Sequence, residues 1–166
     1  MFAPAVGAEP TKAPSAERAP GNCVVLIDRV DENTGESREL FSTCAPTIEE
    51  AQAQLFSPST QSRIASTGAV ALASAPIMEW WKDLNYTGER TIVYGAAGPC
   101  DWAGYNMNPS SYWAANITSI RGYGSCTKAD LAGRYNTGFL NGAWLPIGYV
   151  GAALNDNVGY VHTYQG

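Results

Sequence analysis

From about residue 68 onward, short runs of apolar and β-branched residues are broken by Gly, Asn or Pro at intervals of roughly eight to twelve residues. Strands are predicted at 70–72, 77–81, 90–94, 117–121 and 158–164, a spacing that belongs to a β-sandwich or barrel. Upstream the texture differs. A β-rich run at 23–27 can pair with another at 40–44 across the turn-forming Asp31-Glu32-Asn33-Thr34-Gly35, which predicts a hairpin. Thr47 and Glu50 then have the spacing of a capping box, and Ile48, Ala51 and Leu55 share one helical stripe until Pro58 stops it. Residues 57–67, rich in Ser, Thr and Gln, read as a linker. Residues 1–21 hold four prolines and six alanines among scattered charges, too little apolar surface to bury, and are predicted to form a disordered leader.

The predicted organisation is therefore a leader at 1–21, a hairpin–helix appendage with linker at 22–67, and a mainly β domain at 68–166. The appendage either packs on the sandwich, covering a sheet edge, or swings free on the linker. A length of 166 residues suits one domain plus such an appendage.

Charge narrows the function classes. Charged residues make up only 15% of the chain, and the net charge is −5 with ten Lys and Arg spread thinly. A nucleic-acid binder needs a concentrated basic face, so nucleic acid is excluded as a partner. No apolar run approaches the length that spans a bilayer, and a soluble monomer is expected. Cys23, Cys44, Cys100 and Cys126 form an even set without Cys-x-x-Cys spacing, and a single histidine, His162, cannot complete a two-Cys, two-His zinc site. Disulfides are expected, and with them an oxidising, extracellular compartment. Four cysteines allow three pairings. Cys23–Cys44 with Cys100–Cys126 is the expected one, because each pair brackets one structural unit. Residues 1–8 lack the charged start and long apolar stretch of a secretory signal, although Ala5-Val6-Gly7-Ala8 has the small residues of a signal's end.

The segment Trp81-Lys82-Asp83-Leu84-Asn85-Tyr86-Thr87-Gly88 has an aromatic, four residues, an aromatic, one residue and a glycine. In such a segment two rings stack over a folded hairpin, and the glycine takes a backbone angle that side chains disfavour. With Gly98-Pro99-Cys100-Asp101, Gly104-Tyr105, Ile117-Thr118-Ser119-Ile120-Arg121-Gly122 and Tyr149-Val150-Gly151-Ala152-Ala153-Leu154-Asn155-Asp156, it resembles the bacterial secreted members of the βγ-crystallin Greek-key family. The likeness covers about residues 77–164 and implies two Greek keys in one sandwich; the disulfide-stapled hairpin and one helix expected before it have no counterpart in that fold. The second key departs from the pattern: Cys126, Leu131 and Gly133 stand where aromatic, aromatic and glycine are expected, and Tyr135 with Gly138 misses the spacing by one residue.

Calcium-binding members carry (Asn/Asp)-(Asn/Asp)-x-x-(Ser/Thr)-Ser once per key. Here Ala114-Ala115-Asn116-Ile117-Thr118-Ser119 has lost its polar pair, and Asn155-Asp156-Asn157-Val158-Gly159-Tyr160 has lost its hydroxyls. Because the family builds its sites crosswise, the resemblance implies one surviving calcium site from Asp156, Asn155 and Thr118, and a dead one where Ala115 would face Gly159. With one carboxylate the affinity should be weak, about 10⁻⁴ M or poorer. Without the resemblance, Asn155-Asp156-Asn157 reads as a polar turn.

No nucleophile elbow, zincin helix or phosphate-cradling loop occurs, and Gly122-Tyr123-Gly124-Ser125-Cys126-Thr127 reads as a turn. His162 has no recognisable partner, Glu49-Glu50 suits a helix N-terminus, Asp31-Glu32 is a hairpin tip, and nothing selects Glu79 with Asp83 as a hydrolytic pair. A non-enzymatic protein is expected. Three readings follow: a secreted βγ-crystallin-like protein with one weak calcium site, a secreted peptidase inhibitor, or a toxin-like or cell-wall-binding module. The resemblance extends to bacterial metalloprotease inhibitors of this fold, which implies an extracellular protease as partner and the disulfide-braced loops 98–108 or 123–128 as inhibitory elements. A glycan-binding face would draw on Trp80, Trp81, Trp102, Tyr105, Tyr112, Trp113 and Trp144, which serve equally well as core.

Overall fold

A computed structural model describes residues 21–68 and 74–166. The predicted leader and the strand at 70–72 lie outside the described residues. The described chain is mainly β, with 41% strand and 16% helix. Its strands are β1 (Asn22–Ile27), β2 (Glu39–Ala45), β3 (Ala75–Asp83), β4 (Thr87–Gly95), β5 (Tyr105–Met107), β6 (Ser119–Gly122), β7 (Lys128–Gly133), β8 (Phe139–Trp144) and β9 (Val158–Tyr164). They form a five-stranded sheet in the order β2-β1-β4-β3-β6 and a four-stranded sheet in the order β5-β9-β7-β8.

The hairpin β1–β2 is not an appendage on a tether. β1 pairs in parallel with β4, from Cys23 opposite Thr91 to Ile27 opposite Gly95, and so extends the first sheet by two strands. Both faces of β1 are covered, which accounts for its unbroken apolar run. Cys23, Val25 and Ile27 join the core between the sheets, while Val24 and Leu26 face a second core under two helices.

Those helices are α1 (Ile48–Leu55) and α2 (Pro58–Ala65). The capping box is in place: Glu50 N donates to Thr47 Oγ1 and Thr47 N donates to Glu50 Oε2, each at 3.3 Å. Ile48, Ala51 and Leu55 are buried against Ile92 and Tyr94 of β4. The predicted linker at 57–67 is corrected. Pro58 does end the first helix, but it also begins the second at the first helical position, where its missing N–H costs nothing, and Ser57 Oγ caps Thr60 N at 3.3 Å. The expectation of one helix is corrected too, since a single turn, α3 (Ser111–Ala114), is also present.

All four cysteines are paired, Cys23 with Cys44 and Cys100 with Cys126. The first bond joins register partners on β1 and β2, and the second ties the loop before β5 to the loop before β7.

Candidate functional site

The β3–β4 turn forms one wall of a surface cleft. Asn85 and Tyr86 both take positive φ, 53° and 65°, which closes the strands tightly. The Trp81 and Tyr86 rings meet edge to face at 5.3 Å, inclined at 68°. Gly88 has φ 83°, and a Cβ there would stand 2.2 Å from the Asp83 carboxylate. The backbone angle favours glycine, and any other side chain would also have to displace the Asp83 carboxylate.

Two further segments complete a cleft of about 720 Å³. One is residues 116–118, leading into β6, and the other is residues 148–156, leading toward β9. Backbone bonds cross between them: Val150 N donates to Thr118 O at 2.9 Å, and Asp156 N donates to Ile117 O at 3.2 Å. Asn85 N donates to Gly148 O at 3.0 Å and holds the third wall. The cleft is lined by oxygen-bearing Asp83, Asn85, Asn116, Thr118, Asn155 and Asp156, with Lys82 at its side.

Here the three residues singled out in the sequence lie together. Thr118 Oγ1 donates to Asn155 Oδ1 at 2.9 Å, and Asn155 Nδ2 donates to Asp156 Oδ2 at 2.9 Å. Asp156 has φ 56°, a conformation that Asp and Asn tolerate better than most residues. Amide, hydroxyl and carboxylate oxygens make a hard donor set, suited to calcium rather than to a soft metal. Its charge is modest. Lys82, held by Tyr112 Oη at 3.2 Å and 3.7 Å from Glu89, offsets one carboxylate, and Arg134 Nη2 donates to Asp156 O at 3.1 Å. Hydrogen bonding to Tyr112 raises the Lys82 pKa and keeps it charged. Among the described residues no group of three or more His, Cys, Asp or Glu is placed to hold a metal, so a cation here would lean on amide and hydroxyl oxygens. Gly159 lies against Arg134, where a Cβ would stand 3.0 Å from the Arg134 backbone nitrogen, so a hydroxyl side chain would be crowded.

Glu79 has a structural setting. It is 1% exposed on β3, with Arg90 Nη1 3.2 Å from Oε1, close enough for an ion pair though not aligned as a hydrogen bond. Tyr123 Oη donates to its other oxygen. Burial first, then the neighbouring Glu79, pushes the Tyr123 pKa up to about 12. Because the unfolded tyrosine ionises near 10, stability is retained below pH 10 and falls as pH rises toward 12. Tyr123→Phe is expected to remove about 1–2 kcal/mol of that alkaline loss, after allowance for solvent screening. Melting curves of parent and variant between pH 9 and 11 check this, and parallel declines would rule it out.

His162 Nε2 lies 2.8 Å from Ala103 O, and Nδ1 lies 3.4 Å from Asp130 Oδ2. The seven aromatics divide sharply. Trp80, Trp81, Tyr105 and Trp113 are buried, Tyr112 is half-buried against Lys82, and Trp102 and Trp144 are exposed. Trp102 stands on a braced loop: Asp101 pairs with Arg29 at 2.8 Å, its Oδ1 accepts from Ala103 N and Gly104 N, and its carbonyl accepts from Gln165 N. Neither family models, nor curated proteins, nor solved structures returned a match to this chain.

Proposed function

We propose that the chain is a non-catalytic, extracellular domain of βγ-crystallin type that holds one calcium ion weakly in the cleft of Thr118, Asn155 and Asp156. The observation that carries this reading is the meeting of Thr118 with the Asn155-Asp156 pair, 37 residues away, in an oxygen-lined cleft. Strand exchange supports the fold assignment. β4, β3 and β6 are joined by an isolated bridge from Ile120 to Ile147, and β8, β7 and β9 are joined by β5, so each set of three borrows a segment from the other half. Two interlocked Greek keys would be connected in this way. The Trp81–Tyr86 pair over Gly88 supports it as well. Two disulfides fit an oxidising compartment.

When bound, calcium would bridge the two loops and stabilise only the folded state. At about ten times Kd the gain is roughly 1.4 kcal/mol, or about 3–5 °C for a domain of this size. The test is calorimetry in chelator and then in calcium up to about 10 mM. The parent midpoint should climb, while Asp156→Asn and Thr118→Val should stay flat. Asparagine keeps the tolerance for positive φ at 156, so the variant reports the carboxylate and not backbone strain. An unresponsive parent would sink the calcium reading. The leading alternative would then be peptidase inhibition, favoured by the exposed Trp102 on its disulfide-braced loop.

A further inference from the structure

The two sheets differ on their outer faces. α1 and α2 cover the β1 and β4 side of the first sheet. On the second sheet, alternation turns Ala129, Leu131, Val161 and Thr163 inward and leaves every second residue outward. Outward and adjacent in register stand Trp144, Lys128 and Tyr164, one on each of β8, β7 and β9. His162 and Tyr160 continue the row along β9, and Phe139 stands on β8 opposite Ala132. Trp144 is 64% exposed and Phe139 61%.

We infer that this face is a binding platform for an extended, neutral polysaccharide chain. Its chemistry is uneven in a telling way. The outward apolar groups are rings, and Ala132 is the aliphatic residue among them. Flat rings present a π-face that suits the C–H face of a pyranose. Polar groups accompany the rings: Lys128 Nζ lies over one face of Trp144, 4.6 Å from the centroid, leaving the other face free to stack, and Asp130 lies between His162 and the β8 backbone. Such groups bond to hydroxyls. Lys128 beside Asp130 offers no net positive charge to a phosphate chain.

The platform is also set in advance. His162 and Tyr164 are stacked, with centroids 4.8 Å apart and planes 25° from parallel. Ala103 O holds the imidazole, and Asp130 Oδ1 accepts from Tyr164 Oη at 3.3 Å. For these two rings little side-chain freedom remains to be lost on binding. Tyr164 and Trp144 lie two strands apart, about 10 Å, which allows two rings to engage different sugars of one chain.

The experiment is retention of the intact protein on insoluble chitin and cellulose, followed by calorimetric titration with chitohexaose and cellohexaose. Parent protein should bind at least one of them. Trp144→Ala should weaken binding about tenfold or more, the scale of one lost ring stack. Phe56→Ala, at an exposed ring on the helical side, should bind like the parent. Sedimentation of parent and Trp144→Ala should report monomers. No binding by the parent, unaltered binding by Trp144→Ala, or a parent dimer that this substitution dissolves would each overturn the proposal, the last by making a second copy the occupant.

Discussion

Replacing Trp80 with alanine should lower the unfolding free energy by about 3–5 kcal/mol, the range for truncating a fully buried large aromatic. Trp80 is 1% exposed on β3, flanked by Thr91 of β4 and Ile120 of β6, and turns into the core between the sheets. Its ring lies 6.5 Å from that of Trp113, inclined at 55°. Trp113 in turn directs its indole nitrogen at Cys23 Sγ, 3.5 Å away. Truncation therefore opens a void and also unseats the ring that packs on the first disulfide. Domains of this size are stable by only about 5–15 kcal/mol, so the loss is a large fraction of the total. Urea unfolding should show a lower midpoint at an unchanged slope. A cost below about 1 kcal/mol would mean that the sheets do not close around this ring. Trp144→Ala, on the open face, should by contrast stay within about 0.5 kcal/mol of the parent.

That contrast marks the limit of what the amino-acid pattern discloses. Strand β9 was legible because Tyr160, His162 and Tyr164 alternate with the buried Val161 and Thr163. Helix α1 was legible because its cap and its stripe agree. Exposure of the tryptophans was not, because β3 is covered on both sides: adjacent Trp80 and Trp81 point to opposite faces and both are buried. Strand β7 carries two alanines and a glycine, and β8 a central glycine, so their apolar signal was too thin to register. Helix α2 was hidden by a proline that ends one helix while beginning another. Parallel pairing of β1 with β4 joins segments nearly 70 residues apart (Cys23 to Thr91), and no local pattern encodes a partner at that distance. The candidate cation site was legible only through motif resemblance, since Thr118 and Asn155 are equally ordinary turn residues. Lys128, Asp130, Tyr160 and Tyr164 become one surface only when β7 and β9 are set side by side.

Removing the second disulfide, as Cys100→Ala with Cys126→Ala, should cost about 3.5 kcal/mol, the loop-closure entropy of a 26-residue separation. Alanine is the right replacement because both positions are buried, and serine would leave a hydroxyl in need of a partner. By chain entropy alone the Cys23–Cys44 bond, closing 21 residues, would be worth nearly as much. The native consequences differ. Cys23 and Cys44 sit within a hairpin whose ladder holds register on its own, whereas Cys100 and Cys126 join two loops. Residues 101–104, which present Trp102 and supply the carbonyl that holds His162, should then exchange faster. Amide exchange at Ala103 and Gly104, whose N–H groups donate to Asp101 Oδ1, measures this directly. Fast exchange there with the strands still protected would mean that the bond braces the loop as well as the chain. Loss of stability with unchanged exchange at these two amides would assign the whole effect to the unfolded state and leave the Arg29–Asp101 pair and the Gln165 contact as sufficient braces.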